Sequence, residues 1–256
     1  MARKDDDSFF IGWGQTPPVD RRFLLLASLG LVVAAAGAGA LIATEQLPPG
    51  DGTWNPDDER DWAGVLVREP YPMLRTRALD GTPRTAYLVS SNKRGVQHRL
   101  SANAEGPVVV RGSLIARGKN AMIAVADGDT WLRSAAPAQS QSDGLTNWPE
   151  YDAGEVSYAG EILDSKCWFG AMQPGQGKPH KSCAALCIHG GLPAIFCAQG
   201  LCGSGASAPL LTDANGTAHG PGLLPLVADA VFASGRIVKI GDVTQFRVAL
   251  NDIKRL

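Results

Sequence analysis

Three of the chain's five cysteines and two of its four histidines fall within "KCWFGAMQPGQGKPHKSCAALCIHGG", residues 166–191. Cys167, His180, Cys183 and Cys187 form a C-x12-H-x2-C-x3-C series, and Met172 and His189 lie in the same stretch. Thiolate and imidazole are soft or borderline donors, and four of them can close a tetrahedral shell around Zn(II). Thiolates joined by a thioether such as Met172 suit Cu(I) instead. His189 is a further candidate ligand.

The spacing supports convergence. Pro179 and Gly190-Gly191 bracket "HKSCAALCIH", and proline suits the first position of a helix as glycine suits the position past its end. On that helix His180, Cys183 and Cys187 fall within an arc of roughly 60°. Cys167 precedes His180 by a glycine- and proline-containing gap that lets it fold back over the same face. Other chemistries fit less well. No C-x-x-C-H is present for c-type haem, and "CIH" starts a Rieske pattern that no C-x-x-H completes. The C-x3-C spacing is not the C-x-x-C of a thioredoxin-like helix. A Cys183/His180 acyl nucleophile lacks an evident orienting Asp or Asn. Glu161 and Asp164 alternate with apolar residues and read as solvent-facing strand positions. The chain therefore carries no strong enzyme motif.

Disulfides are the competing use of these residues. In an oxidising compartment paired cysteines become bridges. Cys167 has Cys183 and Cys187 as alternative partners, and Cys197 and Cys202 are close enough in sequence to pair locally. An odd total of five leaves at least one thiol for another purpose.

The N-terminus sets the compartment. Residues 23–43, "FLLLASLGLVVAAAGAGALIA", carry no charge. Twenty-one helical residues span roughly 30 Å, the thickness of a bilayer core. Arg3, Lys4, Arg21 and Arg22 precede this segment and an acidic stretch follows it. The positive-inside rule then places residues 1–22 in the cytoplasm and the remainder outside. A cleaved leader is the competing reading, although its apolar core would ordinarily be shorter.

The elements that must position the cysteine stretch are β modules. "VVVRGSLIARGKNAMIAV" (108–125) and "VFASGRIVKIGDVTQFRV" (231–248) match at an offset of 123, Gly112 on Gly235 and Gly118 on Gly241. Each reads as strand, glycine kink, turn, strand. "WAGVLVREPYPML" (62–74) parallels "YAGEILDSKCWFG" (158–170), but Gly64 and Gly160 differ by 96. The second copy therefore holds extra residues between its first and second strands, and the cysteine stretch is that insertion. Such strands predict small barrels of the oligonucleotide/oligosaccharide-binding (OB) type, whose ligand face includes the loop joining strands 1 and 2. The predicted fold is mainly β: one transmembrane helix, then two tandem OB-like barrels, the second with a Cys/His-rich helical insertion. The boundaries expected are a cytoplasmic segment 1–22, helix 23–43, linker 44–61, first barrel 62–133, linker 134–153 and second barrel 154–256, with the insertion at 166–203. The net charge of −1 and the scattered charges of both signs exclude a nucleic-acid-binding surface.

"GEILDSKC", "GKPHKSCAALCIHGGLP", "LLTDANG" and "ASGRIVKIGD" together resemble a group of small exported bacterial domains. Their pattern is G-E-[IV]-x-D-x-x-C, a glycine-rich gap, H-x-x-C-A-x-x-C-[IV]-x-G-G-x-P, and a barrel-like tail. The likeness covers residues 157–250. It implies export across a bacterial inner membrane and a periplasmic OB-like barrel, and it supplies no activity. It marks Cys167, His180, Cys183, Cys187, Gly190, Gly191 and Pro193. Cys197 and Cys202 stand outside the pattern, which implies a local Cys197–Cys202 disulfide. The expectation is a single-pass, periplasm-facing accessory subunit of a membrane complex, a respiratory complex being one such, with one Zn or Cu ion in the loop and other membrane or periplasmic proteins as partners. A disulfide-stapled interaction module and a thiol oxidoreductase are the alternatives.

Overall fold

The computed structural model describes residues 17–44, 51–78, 80–135, 144–173, 175–201 and 208–256. Cys202 lies outside these residues. The first unit carries helix α1, Pro18–Thr44. Its stretch Pro18–Ala43 is long and apolar enough to cross a membrane.

The second unit, beginning at Pro49, contains two five-stranded closed barrels in tandem. In the first, β1 (Thr53–Val67), β2 (Met73–Arg77), β3 (Pro83–Ser90), β4 (Gly106–Arg117) and β5 (Asn120–Val125) run in the order 1-2-3-5-4, and β1 closes on β4. The third and fifth strands are parallel, with Ala86 beside Ala121. A short β6 (Leu132–Ser134) adds to β4. The second barrel repeats this plan with β7 (Glu150–Asp164), β8 (Ala194–Ala198), β9 (Leu210–Thr212), β10 (Ala230–Ile240), β11 (Val243–Arg247) and β12 (Ile253–Arg255).

The glycine repeat marks the corners of both barrels. Gly64 pairs with Val108 and Gly160 with Val231, so the two glycines occupy one position of the repeated plan. A Cβ at Gly112 would run into the carbonyl oxygen of Ala124, and one at Gly235 into that of Arg247. These are places where the fourth strand bends close over the fifth, and a side chain does not fit there. Gly118 and Gly241 take φ of +55° and +61° in the fourth-to-fifth-strand turns, a conformation that costs glycine little.

Several boundaries differ from the sequence reading. β1 begins at Thr53 and β7 at Glu150, inside the stretches read as linkers. These polar residues are drawn into strands by pairing with β4 and β10 while their side chains stay largely in solvent. The insertion ends sooner than expected, because Ala194–Ala198 is the second strand of the second barrel. It occupies residues 165–193, where the first barrel has residues 68–72.

Each barrel has its own apolar core, around Leu74, Leu88 and Ile123 in the first and Ile162, Phe196 and Phe246 in the second. A third core is shared. Val89, Ile115 and Met122 of the first barrel pack with Trp168, Phe169 and Leu192 of the insertion. The insertion is thus a wedge between the barrels. Gly95 N–H donates to the Gly190 carbonyl at 2.9 Å, and Gln97 donates to the Gly191 carbonyl at 2.7 Å. Asp242, beside the β10–β11 turn, accepts from the amide and hydroxyl of Thr85 at 2.8 and 2.6 Å.

Candidate metal and thiol centre

The insertion begins as β7 ends. Asp164 caps the short helix α2 (Ser165–Trp168), accepting the Cys167 amide at 2.9 Å. A single 3-10 turn, Lys178–His180, leads into α3, Lys181–His189. Pro179 sits in the first turn and Gly191, at φ +90°, lies just past the end. There the Leu192 amide reaches the Cys187 carbonyl at 3.0 Å, the hydrogen bond of a glycine-terminated helix.

Cys167, His180 and Cys183 come together, with their ligating atoms all within 4.8 Å of one another. The Cys167 and Cys183 sulfurs are 3.8 Å apart. Asp164, Cys167 and Cys187 form a second group of the same kind, sharing Cys167. Cys187 therefore belongs beside Cys167 and Asp164 rather than in one mutual set of four. Met172 packs with Cys183 against the shared core. His189 is exposed and in neither group. It lies nine residues after His180, about 180° around the helix. Cys197 is buried in β8, and the expected bond to Cys202 falls outside the described residues.

Asp164 corrects the sequence reading most. It is fully buried, not solvent-facing, and its Oδ2 lies 2.7 Å from His180 Nε2. It supplies the orienting carboxylate that the sequence lacked, leaving Nδ1 as the other ring nitrogen. A metal-bound histidine characteristically donates its distal nitrogen to such a carboxylate. Glu161 is half-buried and accepts the Gly177 amide at 2.6 Å, and burial pushes its carboxyl pKa up. It ties down the glycine-rich gap.

Two lysines went unnoticed in the sequence. Lys93, on the loop after β3, places Nζ 3.1 Å from Cys183 Sγ. That contact raises the lysine's pKa above its ordinary value. Lys166 is buried, and its Nζ donates to the carbonyls of Ser90, Ser91 and Asn92 at 2.7, 2.7 and 2.9 Å. Desolvation draws its pKa down to about 8, while the buried Cys187 and Cys167 oppose that fall. The neighbouring Cys187 thiol and burial together push Cys167 far above the usual thiol range. No local signal identifies these lysines, because their partners lie in the other barrel.

The donor set fits a soft metal. Two sulfurs bound to one tetrahedral Zn(II) at about 2.3 Å stand about 3.8 Å apart, which is the Cys167–Cys183 separation. The Asp164–His180–thiol arrangement also resembles that of a base-assisted nucleophile. A cavity of about 640 Å3 lies at the mouth of the first barrel, lined by Trp54, Trp62, Arg84 and Ile123 among others, and none of the cluster residues lines it. Compared with protein-family models, with curated proteins and with solved structures, the chain matches none of them.

Proposed function

We propose that this chain is a membrane-anchored, periplasm-facing accessory protein whose second barrel binds one transition-metal ion, Zn(II) or Cu(I), in the loop between its first two strands. Cys167, His180 and Cys183 are the first three ligands. Cys187, grouped with Cys167 and Asp164 rather than with His180 and Cys183, is the candidate for the fourth position through its place beside Cys167, and Met172 is the candidate for a copper ion. The observation that carries the reading is the 4.8 Å cluster of two thiols and an imidazole with a buried carboxylate behind the imidazole. A burial this complete is costly for polar groups unless they have partners. α1 supports the anchor, and Arg3, Lys4, Arg21 and Arg22, which precede its uncharged stretch 23–43, support the orientation. The partner complex, respiratory or otherwise, is part of the same proposal.

The test is the metal content of the full chain, exported, extracted in detergent and purified without chelator, measured by mass spectrometry beside a thiol count after denaturation. One equivalent of metal, three thiols once it is stripped, and loss of the metal in Cys183→Ser are expected. No metal and a single free thiol would sink the reading. That result would favour a second one, a disulfide-stapled interaction module, which the shared core between the barrels supports.

A further inference from the structure

Cys167 and Cys183 are unequal. Cys183 is half-buried on α3, with the Lys93 ammonium 3.1 Å from its sulfur. Cys167 is 1% exposed and stands behind it, sulfur to sulfur at 3.8 Å. Cys187 is fully buried beside Cys167. Thiol–disulfide exchange asks for this asymmetry: one reachable sulfur to meet the incoming disulfide, and a second, protected sulfur to resolve the mixed disulfide. The remaining approach to a bonded distance of about 2.0 Å is roughly 1.8 Å. A lysine at the reachable sulfur also attracts a disulfide that carries carboxylates.

From this geometry we infer that Cys183 and Cys167 form a dithiol centre that exchanges with an anionic disulfide, a small thiol dimer or a partner protein's bond. For its regulatory consequence the inference rests on the metal reading, since the product disulfide removes two of the proposed ligands. In the first step Cys183 sulfur attacks one sulfur of R–S–S–R. A Cys183–S–S–R bond forms, the R–S–S–R bond breaks, and RS⁻ leaves and takes up the Cys183 proton as RSH. In the second step Cys167 sulfur attacks Cys183 Sγ, the Cys167–Cys183 bond forms, and the second RS⁻ leaves with the Cys167 proton. The two cysteines are oxidised by two electrons and R–S–S–R is reduced to two RSH. Reduction by a dithiol reverses the sequence and restores the ligands.

The test uses the full chain in detergent, metal-stripped and equilibrated in oxidised and reduced glutathione, then alkylated and mapped by peptide mass spectrometry. The wild-type chain is expected to link the Cys167 and Cys183 peptides and to leave Cys187 alkylated. Cys167→Ser is expected to retain glutathione on Cys183, and Lys93→Ala to slow that capture at least ~3-fold. An internal bond through Cys187, or no bond at any glutathione ratio, overturns the inference. Metal uptake under reduction, measured in parallel, separates the two claims. A chain that forms the Cys167–Cys183 bond but takes up no metal keeps the exchange and loses the metal reading. A chain that takes up metal but forms no Cys167–Cys183 bond when stripped keeps the metal reading and loses the inference.

Discussion

The two barrels share a strand order, a set of corner glycines and a sixth strand on the fourth, yet among the described residues the Cys/His cluster belongs to the second. Residues 68–72 join the first two strands of the first barrel, and residues 165–193 do so in the second. The repeated parts are governed by backbone constraints: bends where a Cβ does not fit and turns with positive φ. The unrepeated part contributes the candidate ligands, a shared core and the buried Lys166. The Cys/His cluster lies in a loop of this scaffold, and the same loop packs between the barrels. Site and interface therefore respond together to substitution.

The largest effect is expected from Asp164→Ala. It removes the α2 cap and leaves His180 without its buried partner, which should lower the unfolding free energy by about 3–4 kcal/mol. Asp164→Asn, which keeps an acceptor, should cost less. Chemical denaturation in detergent measures both, and equal losses would mean that the retained amide acceptor contributes nothing and the carboxylate charge carries the whole effect.

Gly112→Ala and Gly235→Ala probe the shared plan. Each drives a methyl group into a strand carbonyl, and each should cost about 2–3 kcal/mol. Markedly unequal losses would break the equivalence of the two corners.

Lys166→Met leaves three carbonyls without their donor and should cost about 2 kcal/mol at neutral pH. The lysine also gives the stability a pH dependence. Its folded pKa of about 8 lies below the ordinary 10.5, so between those values the unfolded chain holds the proton more tightly. Stability attributable to Lys166 rises with pH across that window, and Lys166→Met should flatten the rise relative to wild type. Identical slopes would show that the three carbonyls hold the ammonium against desolvation. The smallest effect is expected at the second barrel-to-barrel link. Thr85→Val keeps the amide bond to Asp242 and loses the hydroxyl bond, about 1 kcal/mol.

Much of this plan was legible in the sequence where local rules decide. Glycines matching at offsets of 123 and 96 located the barrels and the insertion, and Pro179 with Gly190-Gly191 bracketed the helix on which His180 and Cys183 meet. Long-range contacts were not legible. Asp164 continues a strand alternation that reads as solvent-facing, and it is buried only because the chain turns into α2 and the insertion folds back. Lys166 and Lys93 resemble ordinary surface lysines until the other barrel arrives. Polar residues 53–61 and 150–153 lack strand composition, and pairing with a fourth strand decides their conformation. His189 ends the helix that His180 caps, but it is exposed and in neither group.

The bond from the Gly95 amide to the Gly190 carbonyl also has a kinetic meaning. This amide belongs to one barrel and its acceptor to the wedge of the other. Deuterium can replace its hydrogen whenever the two bodies part, without either barrel unfolding. Amides inside β4 or β10 must wait for a barrel to open. Gly95 is thus a built-in clock for separation, and its rate beside theirs dates the looser of the two events.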